Sequence, residues 1–352
     1  MGLIRFLLAI SVLIVHSSPV FGIELIPGYL AVQSFYIISG FYMTLIFTEK
    51  YEGTARPYYY FLSNRILRLY PLYALVVVMV IVLSIVYGVW LGSYGKLQYY
   101  MNEYQRQPDS LGALLTVLFF NVSLVGQDWV TFFGIDKLGD LYFLGLRGNM
   151  KMQELLFIPI AWTISVELFF YLLTPFIVTK SKGVIIYFIL GVIAFRVFLY
   201  FIFDIGGGFA IYRFAPTELF WFLLGILSYK LYKRKWLPDK RYGVWLLIVL
   251  IVSLFIYRMV QLDWVFFSMI FLFTPSVFYK VSNFKYDRFF GELTYPLYIS
   301  HCFFLMIIGA NAFPKPYGTG LPLIVMTVIF SVFVYHYFLQ PLDRFRASRI
   351  KS

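Results

Sequence analysis

Charge is scarce in this chain. Only 13% of its 352 residues are charged against 61% hydrophobic, and the mean hydropathy is +0.80, so no polar stretch is large enough to form a soluble domain. Cysteine is nearly absent: a single residue, Cys302, sits in an apolar run and excludes a disulfide framework and a cysteine metal site. There is no glycine-rich phosphate loop, no HExxH and no GxSxG, which removes the familiar soluble-enzyme patterns. Internal repeats and low-complexity segments are also lacking. The net charge of +12 does not indicate a nucleic-acid partner, because the basic residues lie between apolar runs and not in one patch.

What remains is apolar sequence in lengths that suit a bilayer. Runs of about twenty residues fall near 4–22, 29–48, 70–91, 155–178, 184–203, 213–232, 243–260, 264–281, 291–310 and 321–340. An eleventh, Leu111 to Gly126, is shorter and holds Thr116, Asn121 and Ser123. With ten spans and the N-terminus inside, the cytoplasmic segments collect 20 of the 29 basic residues. Lys96, Arg106, Lys137, Arg147, Lys151 and Lys315 fall outside, and Arg196, Arg213 and Arg258 lie in or beside spans. A full crossing by 111–126 would reverse that bias, so the run is assigned as a short re-entrant or interfacial helix. The predicted fold is an all-α polytopic integral membrane protein with about ten transmembrane helices, and both termini are cytoplasmic. Residues 1–342 form the membrane domain, with an external loop over 92–153, and 343–352 form a basic cytoplasmic tail. The first run also resembles a signal peptide ending near Val20-Phe21-Gly22, but the parity of the spans favours its retention.

Four groups of residues can carry chemistry. Arg5 and His16 are eleven positions apart in RFLLAISVLIVH, so on a helix they share a face about 16 Å apart along the axis. His16 then lies a little past mid-membrane, where an imidazole serves as a general base or bonds a neighbouring helix for packing. Arg65 and Arg68, three apart in SNRILRLYPLY, suit a phosphate clamp, although interfacial arginines more often act as snorkelling anchors. Glu167 lies near the middle of the span 155–178 and either orients a histidine or arginine or forms a structural ion pair. His301 is a second mid-membrane imidazole with a structural or acceptor-positioning role, since nothing in the sequence pairs it with His16. His336 packs. These residues alone do not separate an enzyme from a proton-coupled transporter.

The ordered set of motifs does. Arg5-x10-His16, YLAVQSFYIISGF (Tyr29 to Phe41), NRILRLYPLY (Asn64 to Tyr73), WTISVELFFYLLTP (Trp162 to Pro175) and FGELTYPLYISH (Phe290 to His301) together resemble the acyltransferase-3 family of integral membrane acyltransferases. Arg213, Glu218 and Gly225 fall where the family carries an arginine and then a glycine. Gln340 before Pro341 departs from the acid that relatives often have. The resemblance implies transfer of an acyl group, usually acetyl, from cytoplasmic acyl-CoA to a hydroxyl of an envelope or exported carbohydrate, in a bacterial cytoplasmic membrane. It makes His16 the catalytic histidine, with Glu167 assisting. Arg5, Arg65 and Arg68 become acyl-CoA-binding residues, and Ser39, Trp162 and His301 are left for acceptor contact or structural support. Acetyl-CoA is then a co-substrate, with no permanently bound cofactor and no metal. The partners are acyl-CoA, a glycan acceptor and membrane lipids, with a homo-oligomer left open. The chain reads as the stand-alone form, without a fused esterase-like domain. The rival is a proton-coupled exporter of a lipid-linked sugar or small solute; the absence of an inverted repeat counts against it.

Overall fold

The computed structural model describes residues 1–143, 150–203, 211–309 and 318–351; Arg147 and Lys315, two of the external bases, lie outside them. Thirteen α-helices are described: α1 (Gly2–Val15), α2 (Gly28–Ile46), α3 (Pro57–Leu91), α4 (Gly95–Arg106), α5 (Leu111–Ser123), α6 (Trp162–Val178), α7 (Lys182–Phe203), α8 (Ala215–Lys233), α9 (Gly243–Val260), α10 (Asp263–Val281), α11 (Lys285–Gly309), α12 (Gly320–Val334) and α13 (Gln340–Lys351). Eight helices among the described residues are long and apolar enough to cross a membrane. Two of the ten expected spans fall short of that measure. The first is the 14-residue α1, and the other is α8, which carries Glu218, Lys230 and Lys233. α3, by contrast, begins thirteen residues before the expected 70, so Arg65 and Arg68 lie within it and not before it.

The chain divides into two compact units, residues 1–68, 170–191 and 219–352 in one and 69–169 and 192–218 in the other. In the first unit, Ala9 and Leu13 of α1, Leu297, Phe304 and Ile308 of α11 and Leu323 of α12 form one buried cluster. α1 is therefore a core element, with nine of its fourteen residues buried. α2 and α8 meet backbone to backbone. A methyl on Gly40 would lie 2.1 Å from the Phe222 carbonyl oxygen, and one on Gly225 would lie 2.0 Å from that of Ile37. Small residues at a helix crossing allow this approach, and in lipid van der Waals contact is the main force that holds helices together. Between α12 and α13 the helix widens into a π turn over Tyr335–Leu339. Pro341 follows, and its ring and missing N–H disfavour the regular i to i−4 bond there.

The second unit is organised by Asn121. Its side-chain amide donates to the Leu155 carbonyl (3.0 Å) and the Tyr100 hydroxyl (2.9 Å), and its carbonyl accepts from the Phe157 N–H (2.8 Å). One fully buried residue thus ties α5 to α4 and to the segment entering α6. α5 has 13 residues, about 20 Å of helix against about 30 Å of hydrocarbon, which accords with the short helix expected there. It ends at Leu124 in the left-handed region, at φ 63°. A two-stranded antiparallel hairpin, β1 (Phe133–Ile135) with β2 (Leu141–Phe143), pairs Gly134 with Tyr142.

Gly225→Ala and Gly40→Ala each force α2 and α8 apart, and each is expected to cost about 2–3 kcal/mol of stability. Thermal unfolding in detergent should show both variants clearly below the parent, with Gly191→Ala, whose added methyl meets open space within α7, at or slightly above it.

Candidate functional site

α1 and α11 run side by side and parallel, with a nearly constant offset in number. At one end Asp287, in the first turn of α11, accepts the N–H of Gly2 (2.9 Å) and of Leu3 (3.0 Å). A carboxylate at the first turn satisfies donors that the helix itself leaves unpaired and complements the positive end of its dipole. Midway along, Phe6 packs on Phe290 with ring centroids 5.1 Å apart. At the other end His16 Nδ1 lies 3.2 Å from His301 Nε2, and the rings stack at 5.1 Å and 19°. The two imidazoles that nothing in the sequence pairs are thus brought into contact.

The hydrogen bonds of this pair constrain its tautomers. His301 is fully buried, and its Nδ1 lies 2.6 Å from the Tyr298 carbonyl oxygen, which only accepts, so that Nδ1 carries the hydrogen. With His301 neutral, its Nε2 is an acceptor, and His16 Nδ1–H is the donor between the rings. A neutral His16 then holds its lone pair on Nε2, as required of a general base. His16 does not lie within a longer helix as expected: α1 ends at Val15, and His16 is its exposed C-cap. Ser18 Oγ accepts the N–H groups of Thr319 (2.9 Å) and Gly320 (3.0 Å), which ties the chain after His16 to the start of α12.

The arginines gather toward the opposite end of the α1–α11 pair. Arg5 is half-buried over the Tyr42 ring at 5.6 Å. Arg68 pairs with Glu292 of α11 at 3.1 Å, and the charges of Arg68, Arg5, Arg346 and Arg65 all act on that carboxylate. Arg65 is buried, 4% exposed. α13 docks here: Arg349 donates to Asn64 Oδ1 (3.0 Å) and Ser63 Oγ (3.1 Å), and Arg346 pairs with Asp343. Residues 343–351, read from sequence as a basic tail, are thus helical. Glu292 and Arg346 received no role from the sequence. The Asp343–Arg346 spacing, three apart on a helix, was the available signal for Arg346.

The remaining candidates lie on α2 and α6. Ser39 is buried on α2, one residue before the Gly40 crossing. Trp162, in the second unit, opens α6 and is buried with its ring 4.7 Å from the Arg213 guanidinium and 5.0 Å from Tyr212. Glu167 is half-buried on α6, in the second unit, whereas His16 belongs to the first. Glu218 is fully buried and paired with Arg196 at 2.9 Å. A further acid is Asp128, in the turn after α5, which accepts the Ser165 hydroxyl at 2.7 Å while Ser165 Oγ accepts the Gly126 N–H at 3.0 Å. Burial pushes the Asp128 carboxyl up to about 6. Its sequence neighbourhood gave no sign of this, since the segment reads as a solvated loop. Among the described residues no three His, Cys, Asp or Glu side chains are grouped to hold a metal ion.

A family model described as an acyltransferase domain, acyltransferase-3, matches residues 1–336. The chain belongs to the acyltransferase-3 family. It is also similar to "Protein 2 in picA locus" of Rhizobium radiobacter, 41% identical over 73 residues, a match that covers 20% of this chain and 38% of that relative. No solved structure matches the chain.

Asp128 supplies a pH test. Because its folded pKa is raised above the unfolded value of 3.8, the carboxyl is neutral in both states below that value, and stability is lost as pH rises through about 6. Asp128→Asn keeps the acceptor for Ser165 and removes the charge. It should therefore gain on the parent by up to about 3 kcal/mol between pH 4 and pH 7, read as a widening difference in unfolding temperature.

Proposed function

We propose that this protein is a membrane O-acyltransferase that moves an acyl group, acetyl first among candidates, from cytoplasmic acyl-CoA to a hydroxyl of an envelope or exported carbohydrate. The observation that carries this reading is the polarity of the histidine pair, with a lone pair on His16 Nε2 and a proton acceptor behind Nδ1. The arginine cluster at the other end of α1 supports it, because guanidinium forks match phosphate oxygens and CoA carries its phosphates at the end remote from the thioester.

In this reading the donor's phosphates rest among Arg5, Arg65 and Arg68, and the thioester reaches along α1 toward His16, about 16 Å away by helical rise. His16 Nε2 takes the proton of the acceptor hydroxyl as that oxygen bonds to the thioester carbonyl carbon. Collapse of the tetrahedral intermediate breaks the C–S bond, and CoA leaves as the thiol with the proton from His16. While His16 is an imidazolium, its Nδ1–H donates to His301 Nε2, which holds the ring in place and stabilises the charge. His301 is thus a positioning residue. Transfer through an acyl-histidine is the other route, and a ternary-complex kinetic pattern with no trapped acyl-enzyme removes it. Acceptor contacts near Ser39 and Trp162 and assistance from Glu167 belong to the same reading.

The test uses protein reconstituted in lipid with labelled acetyl-CoA and an envelope-glycan fraction. His16→Ala should lose about 10²–10⁴ of kcat. His301→Gln, whose amide oxygen can accept the same hydrogen, should keep more kcat than His301→Leu, with the donor KM little changed and the pH profile moved in both. Undiminished transfer in His16→Ala overturns the assignment. Proton-dependent solute flux without acyl-CoA would install the exporter instead.

A further inference from the structure

Arg65, Arg68 and Arg346 form a charge cluster beside Glu292 and Asp343. Arg346 feels the like charges of Arg68 and Arg65, and its carboxylate partner is Asp343. Among the described residues three guanidiniums stand beside two carboxylates, Glu292 and Asp343, with Arg5 and Arg349 close by. Arg65 and Arg346 are 4% and 9% exposed, and the Nε of each is buried without a hydrogen-bond partner. A buried N–H of a charged group left unpaired is costly, so both positions lack an acceptor that an anionic ligand would supply. A small cleft lies here, lined by Arg68, Glu292, Tyr295, Leu339, Leu342, Asp343 and Arg346. Arg346 enters it from α13, and Asn64 and Arg349 hold that helix on α3.

We infer that α13 completes the donor site, with Arg346 joining Arg65 and Arg68 to grip the phosphorylated nucleotide half of acyl-CoA, so that this helix sets the preference for CoA over thioesters without a nucleotide. The inference rests on the acyl-CoA reading above. The phosphates bring several negative charges to this cluster, and their oxygens supply an acceptor for the Nε–H of Arg346, which lines the cleft, while the buried Arg65 adds its charge from behind. Asp343 and Glu292 pair with Arg346 and Arg68 and hold them in place until the donor arrives. Arginine suits this place better than lysine, since it offers several fixed donors where lysine offers a point charge.

Two measurements test it in nanodiscs of neutral lipid, on the parent and on Arg346→Ala, Arg346→Lys and Arg344→Ala. Arg344 is exposed on the same helix and controls for charge alone. The first is binding of adenosine 3′,5′-bisphosphate, which needs no turnover. The parent should bind, Arg346→Ala should bind about tenfold more weakly, Arg346→Lys should fall between, and Arg344→Ala should match the parent. The second is the ratio of kcat/KM for acetyl-CoA to that for S-acetyl-pantetheine, which should fall about tenfold in Arg346→Ala. Equal nucleotide binding by parent and both Arg346 variants overturns the role of α13 and leaves the acyltransferase reading standing. A parent that neither binds the nucleotide nor turns over acetyl-CoA overturns both. Repeating the binding with phosphatidylglycerol in the discs separates the other source of phosphate: a parent that retains anionic lipid through Arg346 while its nucleotide affinity ignores the substitution assigns the cluster to a lipid headgroup and rejects the inference.

Discussion

The side-by-side pairing of α1 with α11 is the constraint on which the rest of the site depends. The Asp287 carboxylate receives the first N–H groups of α1 and sets the axial register of the two helices. Close approach at Gly2 and Gly291 brings the backbones together, with a methyl on Gly2 placed 1.7 Å from the Asp287 carbonyl oxygen. A register set at one end is carried along about 20 Å of helix to the other. There it sets His16 against His301. A slip of one residue would turn His16 by about 100° and break the contact.

The same pairing orders the chemistry by distance. The end near Asp287 holds Arg5 and, through Glu292 of α11, draws in Arg68. The other end holds the imidazoles. In the proposed reading, a donor with phosphates at one end and a thioester at the other is matched to this separation of cation and base. A buried neutral imidazole whose Nδ1–H is committed to a carbonyl, as in His301, presents a fixed acceptor at Nε2.

Much was legible in the sequence because a bilayer imposes strong rules. Apolar length and the distribution of Lys and Arg pointed to an all-α membrane fold and a short helix at 111–126, and the ordered motifs, Arg5-x10-His16 among them, pointed to the family. Each of these depends on one segment at a time or on order along the chain. Less was legible where a residue's role depends on a partner far along the chain. His301 looked unrelated to His16 because 285 positions separate them, and no local pattern reports a parallel packing register. Arg346 looked like part of a solvated tail, since its pairing with α3 and α11 depends on where α13 docks.

Sequence by itself therefore determined the solvent, the class of fold, the family and the residue types able to bind phosphate or move a proton, since these follow from composition and local periodicity. Tertiary structure decided which imidazole faces which and which nitrogen carries the hydrogen. It also decided that α1 stops at His16, that Asp128 is buried, and that two orphaned guanidinium N–H groups share one neighbourhood. Hydrogen-bond polarity and burial exist only between elements, and they are settled when helices distant in sequence come within a few ångströms of one another.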